Sequence, residues 1–127
     1  MEPLLIKATD DTPEIILNKS KGIFSIAGKS LPEDVIEFYS PVFSWLEQYV
    51  ANPNDETLLQ IKVIYFNSAS QRALNEIFSI LSRLNVKGKK VDIDWFYSED
   101  DDEMRDAGHE YAEITNLPFR YKSYMYE

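Results

Sequence analysis

Leu58-Leu59-Gln60-Ile61-Lys62-Val63-Ile64-Tyr65-Phe66-Asn67-Ser68-Ala69-Ser70-Gln71-Arg72 carries a strand and the start of a helix with almost nothing between them. Residues 58–66 are nearly all apolar, broken only by Gln60 and Lys62, and have the β-branched and aromatic content of a central strand. After the polar junction at Asn67, Ala73, Leu74, Ile77, Phe78, Leu81 and Leu84 recur at helical spacing, until Lys87-Gly88 supplies a cation and a helix-stopping glycine. A buried strand that feeds straight into an amphipathic helix is half of a parallel crossover. That unit needs a sheet with helices packed on it.

The flanking sequence extends the pattern in both directions. Upstream, Thr12-Pro13 predicts extended chain, and Glu14–Leu17 and Ile23–Ala27 read as strands joined by the Asn18-Lys19-Ser20-Lys21-Gly22 turn, an N-terminal β-hairpin. Leu4-Leu5-Ile6 adds a further strand. Val35, Tyr39, Val42, Leu46 and Tyr49 then mark one buried helical face, with Trp45 beside it, and Ser30 with Glu33 has capping-box spacing. Pro41 predicts a break, with Ser40 as a new N-cap and a kink near residue 40.

Downstream, Val91–Tyr97 alternates as a strand, Met104, Ala107, Tyr111 and Ile114 mark a third helix, and Phe119–Tyr126 is an aromatic final strand or tail. The order is hairpin, α, β, α, β, α, β. It specifies a mixed α/β sandwich whose antiparallel part is the hairpin.

At 127 residues the chain has the size of one domain, 1–127, without an internal repeat or linker. Its 22 acidic against 13 basic residues give a net charge of −9, which disfavours nucleic-acid binding, since phosphate neutralisation needs clustered Lys and Arg. The absence of cysteine excludes disulfides, thiolate nucleophiles and cysteine-based metal sites. No apolar run reaches the length of a spanning helix, and no secretory leader pattern begins the chain. The expected location is the cytoplasm, without membrane contact.

Few residues are arranged for chemistry. His109 is the sole histidine and reads as an exposed helix residue. The run Ser98–Glu103 lacks the alternation and glycine of a calcium loop and suits the first turn of a helix, so neither a metal nor a cofactor is expected. Asp92 and Asp94 share a strand face and read as solvated, with a carboxylate pair as the alternative. The aromatic tail of Phe119, Tyr121, Tyr124 and Tyr126, with Arg120 and Lys122, either covers a sheet edge or stacks on a partner.

The junction at residues 67–72 is different. Ser68 with Gln71 has the spacing of a capping box, and a structural role there is that the hydroxyl caps an orphan amide. The sharper role is phosphorylation, because a helix N-terminus favours an anion through its free amides and dipole. Arg72, one turn on, is placed to pair with such a phosphate.

Thr12-Pro13-Glu14-Ile15, Gly28-Lys29-Ser30-Leu31-Pro32-Glu33, Phe38-Tyr39-Ser40-Pro41-Val42 with Trp45-Leu46-Glu47, and Tyr65-Phe66-Asn67-Ser68-Ala69-Ser70 together resemble the SiaC family over nearly the whole chain. The resemblance implies a fold similar to STAS domains and a non-enzymatic regulatory phosphoprotein. It implies a hydroxyl residue at the start of the helix after the central strand that a dedicated protein kinase phosphorylates and a PP2C-type phosphatase dephosphorylates. It further implies that the unphosphorylated form binds and activates an effector such as a diguanylate cyclase, which promotes biofilm formation. By position the phosphoacceptor is Ser68, where the best-known member has threonine, with Ser70 as the alternative and Asn67, Ser68, Ser70 and Arg72 forming the surface that partners visit. The other function considered is a small-ligand sensor or carrier of the same STAS-like fold.

Overall fold

The computed structural model describes residues 1–125, and Tyr126 of the expected aromatic tail lies outside them. Chain order runs β1 (Leu4–Ile6), β2 (Glu14–Asn18), β3 (Ile23–Ser30), α1 (Val35–Ala51), β4 (Glu56–Phe66), α2 (Ser68–Val86), β5 (Lys90–Ser98), α3 (Asp102–Thr115) and β6 (Phe119–Tyr124). The six strands lie in the sheet in that same order. β1, β2 and β3 are antiparallel, and β3 to β6 are parallel neighbours. The hairpin turns at Gly22, whose φ of +66° is one that glycine adopts without cost. The mixed α/β sandwich expected from the element order is the observed architecture.

Each parallel step advances in the same direction across the sheet, so crossovers of one hand place the three helices in one layer on one face. The burial agrees. Leu59, Ile61 and Val63 of β4 are buried beneath the helices, whereas Gln60, Lys62 and Ile64 between them are exposed on the other face. The α1 stripe of Tyr39, Val42, Trp45, Leu46, Tyr49 and Val50 packs into the same core as Leu74, Ile77, Phe78 and Leu81 of α2. An Arg83–Glu47 ion pair ties the outer sides of α1 and α2.

The start of α1 differs from the sequence expectation. Ser30 does not cap it. It is the last residue of β3 and fully buried, and Asp34 caps instead, accepting from the Glu37 amide at 3.1 Å. Nor does Pro41 break the helix, which runs without interruption from Val35 to Ala51. Pro41 removes a single amide from the ladder, while the buried residues on both sides of it anchor the helix to the same core. Ser40 is no N-cap, since its hydroxyl donates backwards to the Ile36 carbonyl at 2.6 Å.

The third helix also departs in one position. Asp101 caps it by accepting from the Met104 amide, and Asp102 and Glu103 fill its first turn, as the acidic run suggested. Met104, Gly108 and Tyr111 form the buried stripe, but Ile114 is exposed, because ten residues of helix carry it about 80° away from Met104.

Candidate functional site

The β4–α2 junction is built as a tight corner. Phe66 ends the strand, Asn67 has extended backbone, and Ser68 is the first helical residue. Asn67 rather than Ser68 is the cap, its Oδ1 accepting from the Ser70 amide at 2.8 Å. The capping-box expectation for Ser68 and Gln71 therefore fails by one residue: Asn67 already fills the cap, and Ser68 begins the helix with its side chain exposed. Unlike α1 and α3, α2 has no acidic residue in its first turn, so the partial positive charge of its amides lacks a local carboxylate.

Ser70 and Ser68, two residues apart, have opposite environments. Ser70 is fully buried and donates to the Ser30 carbonyl at 2.9 Å while accepting from the Ser30 hydroxyl at 2.8 Å. With that proton committed to Ser70, the 2.6 Å contact between Ser30 and Tyr39 is a bond that Tyr39 donates. Burial raises the Tyr39 phenol above its ordinary value, against the lowering effect of its bond to Ser30. The Tyr111 hydroxyl, also raised by burial, donates to the Gln71 carbonyl at 2.9 Å and fixes the other side of the same turn. Ser68 thus projects from a turn held on two sides.

Arg72 is exposed one turn further along α2. Tyr65, also exposed, and half-buried Asn67 precede the corner, so the structure brings Asn67, Ser68 and Arg72 to one accessible surface and places Ser70 beneath it. Ser30 and Tyr39, which support the corner, were missed as such in the sequence. Their hydroxyls look like an ordinary strand end and an ordinary helix residue until the fold joins them.

The remaining candidates have structural roles. Asp94 is not solvated: it is 1% exposed, and Arg120 Nε at 2.7 Å and Lys122 Nζ at 3.3 Å bind its carboxylate. Burial alone raises its pKa, and the hydrogen bonds from Arg120 and Lys122 outweigh that effect and hold it below the usual carboxylate value. It locks β6 to β5 across the exposed face of the sheet. Asp92 is half-buried, with Lys90 Nζ at 3.9 Å, so each of the two aspartates faces a cation. His109 is exposed and stacks on Tyr121, ring centroids 4.0 Å apart. Phe119 packs on Phe78 and Trp95, and Lys62 lies over Tyr124, so the described part of the aromatic tail forms the edge strand β6 itself rather than a cover over the sheet edge. Among the described residues, no group of three or more His, Asp or Glu side chains is placed to hold a metal ion, and no helix is long and apolar enough to cross a membrane.

A family model described as the SiaC family regulatory phosphoprotein matches residues 6–124. The chain belongs to the SiaC family. A relative in Pseudomonas aeruginosa (strain UCBPP-PA14) is 28% identical over 119 residues, with 94% of each chain covered. The crystal structure of apo-SiaC from Pseudomonas aeruginosa is similar, with a TM-score of 0.88 and 28% identity over 97% of this chain and 100% of that one. Also similar is the SiaC chain in a structure of the diguanylate cyclase SiaD in complex with its activator SiaC, from the same organism. There the TM-score is 0.89 and the identity 26%, over 95% of this chain and 99% of that one. The resemblance read from the four sequence stretches is borne out as family membership, and the SiaC relative binds a partner while carrying this fold.

Proposed function

We propose that residues 1–127 act as a single cytoplasmic regulatory domain, switched by phosphorylation at Ser68. A protein kinase adds the phosphate and a PP2C-type phosphatase removes it. The unphosphorylated form binds and activates an effector, a diguanylate cyclase, as the SiaC relative is described as doing for SiaD. The family's description as regulatory phosphoproteins supports the reading. The observation that carries it is the contrast between exposed Ser68, at the free-amide end of α2, and Ser70, whose hydroxyl is buried and bonded twice. A kinase reaches the first without disturbing the fold. A phosphate of about −1.5 to −2 charge on the second would displace Ser30.

The ligand-carrier reading is the weaker of the two, because the grooves beside α2 hold about 240 Å³ each, below the range of drug-sized ligand pockets, and the wider cleft of about 490 Å³ at the β2–β3 turn is lined mainly by Lys19, Ser20, Lys21 and Asn54 rather than by apolar side chains. The test is stimulation of the cognate diguanylate cyclase in a purified system. Wild type and Ser68→Ala should stimulate it, treatment with the cognate kinase should silence only wild type, and Ser68→Asp should stimulate poorly. Silencing of Ser68→Ala by the kinase would refute the assignment.

A further inference from the structure

Two open grooves flank the first turns of α2, and Arg72 stands in the wall of both. The groove between α1 and α2 is lined by Val35, Ile36, Phe43, Ala69 and Ala73, with Glu76 at its side. The groove between α2 and α3 is more polar, with Gln71, Asn75 and Glu110 beside Ala107, Tyr111 and Ile114. Ile36 at the apolar groove and Ile114 at the other are each 71% exposed. Ile36 stands among Val35, Phe43 and Ala69 where Ile114 stands beside Asn75 and Glu110, so the α1/α2 groove is the one that can receive a further aliphatic side chain. Arg72 is the one cation among the residues lining either groove, and it has no ion pair among the described residues. Ala69, in the wall of the apolar groove, is the neighbour of Ser68.

Resting on the switch at Ser68, we propose that Arg72 and the α1/α2 groove form the effector's docking surface, occupied by a partner segment that presents an aliphatic side chain next to a carboxylate. The aliphatic group packs beside Ile36 and Phe43, and the carboxylate meets the guanidinium of Arg72. Charge sets the register. On a chain of net charge −9, with Glu37 exposed on α1 and Glu76 in the groove wall, a partner carboxylate is repelled except at an unpaired cation. Cations flanking it in the partner segment suit Glu37 and Glu76. Ser68 and Arg72 are four residues apart on one helix face, so a phosphate on Ser68 is within reach of the same guanidinium. Phosphorylation then takes the docking cation and leaves a dianion in its place.

The test uses calorimetric titration of the diguanylate cyclase that wild type binds. Arg72→Gln and Ile36→Asp should each weaken binding tenfold or more with an unchanged melting temperature, since both residues are exposed, and Arg72→Lys should recover part of the loss. Ile114→Asp, in the other groove, should bind as wild type does. In ³¹P titration, phosphoserine 68 should lose its second proton at lower pH in the wild-type background than in Arg72→Gln. Wild-type affinity in both Arg72→Gln and Ile36→Asp, or loss only in Ile114→Asp, would overturn the docking surface and leave the switch standing. Identical ³¹P curves would overturn the capture of Arg72, whereas a wild-type chain that binds no cyclase would refute the switch and the surface with it.

Discussion

Ser70 and Ser30 exchange two hydrogen bonds at 2.8 and 2.9 Å, fastening the first turn of α2 to the end of β3. β4 lies between them in sequence, so the pair closes a long loop in a buried place. It also sets the environment of Ser68, because a turn held from below leaves its first residue outside. The corner is therefore a rigid platform with an exposed hydroxyl at its tip, which suits a modification that alters surface without altering fold.

The two serines should separate in stability. Ser70→Ala leaves the buried Ser30 hydroxyl without its acceptor and the Ser30 carbonyl with only the long bond from the Asn67 amide at 3.4 Å, costing about 1 to 3 kcal/mol. Ser68→Ala, at an exposed site that caps nothing, should stay within about 0.5 kcal/mol of wild type. Urea unfolding of both variants checks this, and equal losses would contradict the assignment of roles.

Leu46 lies on the buried face of α1, 2% exposed. Leu46→Ala should cost about 2 to 5 kcal/mol, the range for truncating a core leucine. A urea midpoint that does not move would show that this face of α1 contributes little to folding.

Gly108 lets α3 approach the sheet at Trp95. A β-carbon there would lie 2.5 Å from the indole Cδ1 and 2.7 Å from Nε1, and Trp95 is fully buried with its Nε1 donating to the Met104 carbonyl. Gly108→Ala gains about 1 kcal/mol in helix propensity and forces a shift costing about 1 to 3 kcal/mol, so the variant should melt lower than wild type. A higher melting temperature would mean that α3 moves away from Trp95 freely.

Asp94 makes folding depend on acid. Its folded pKa lies below the ordinary value of about 3.9, so the unfolded chain binds the proton more readily. The stability it contributes is present above about pH 4 and is lost as pH falls through the folded value. Asp94→Asn should destabilise at pH 7, and its deficit should shrink on acidification below about pH 4. Denaturant unfolding across that range measures the deficit, and a constant difference would show that the bonds to Arg120 and Lys122 do not favour the ionised form.

The hairpin, the three helices and the central strand were legible in the sequence because their apolar periods are long and their turns carry Gly22 and Lys87-Gly88. Helix starts were less legible. Ser30 and Asp34 are both competent caps, and only the run of β3 up to residue 30 decides between them; Asn67 and Ser68 stand in the same relation at α2. Asp94 was misread because period two assigns a strand face but says nothing of neighbours, and Arg120 and Lys122 arrive from a strand 26 residues on or more. The groove at Ile36 left a faint trace, an aliphatic residue out of step with the α1 stripe. What it adjoins depends on how α1 meets α2.

The most direct measurement is the affinity of the effector cyclase for the unmodified domain and for the same domain carrying phosphoserine 68, by calorimetry at equal salt. A partner packed over Ser68 must desolvate the phosphate or surrender its hold on Arg72, and an unpaired buried charge costs several kcal/mol. Binding should therefore weaken about a hundredfold or more on phosphorylation, with the melting temperature of the domain preserved. Equal affinity for the two forms would contradict the switch at Ser68.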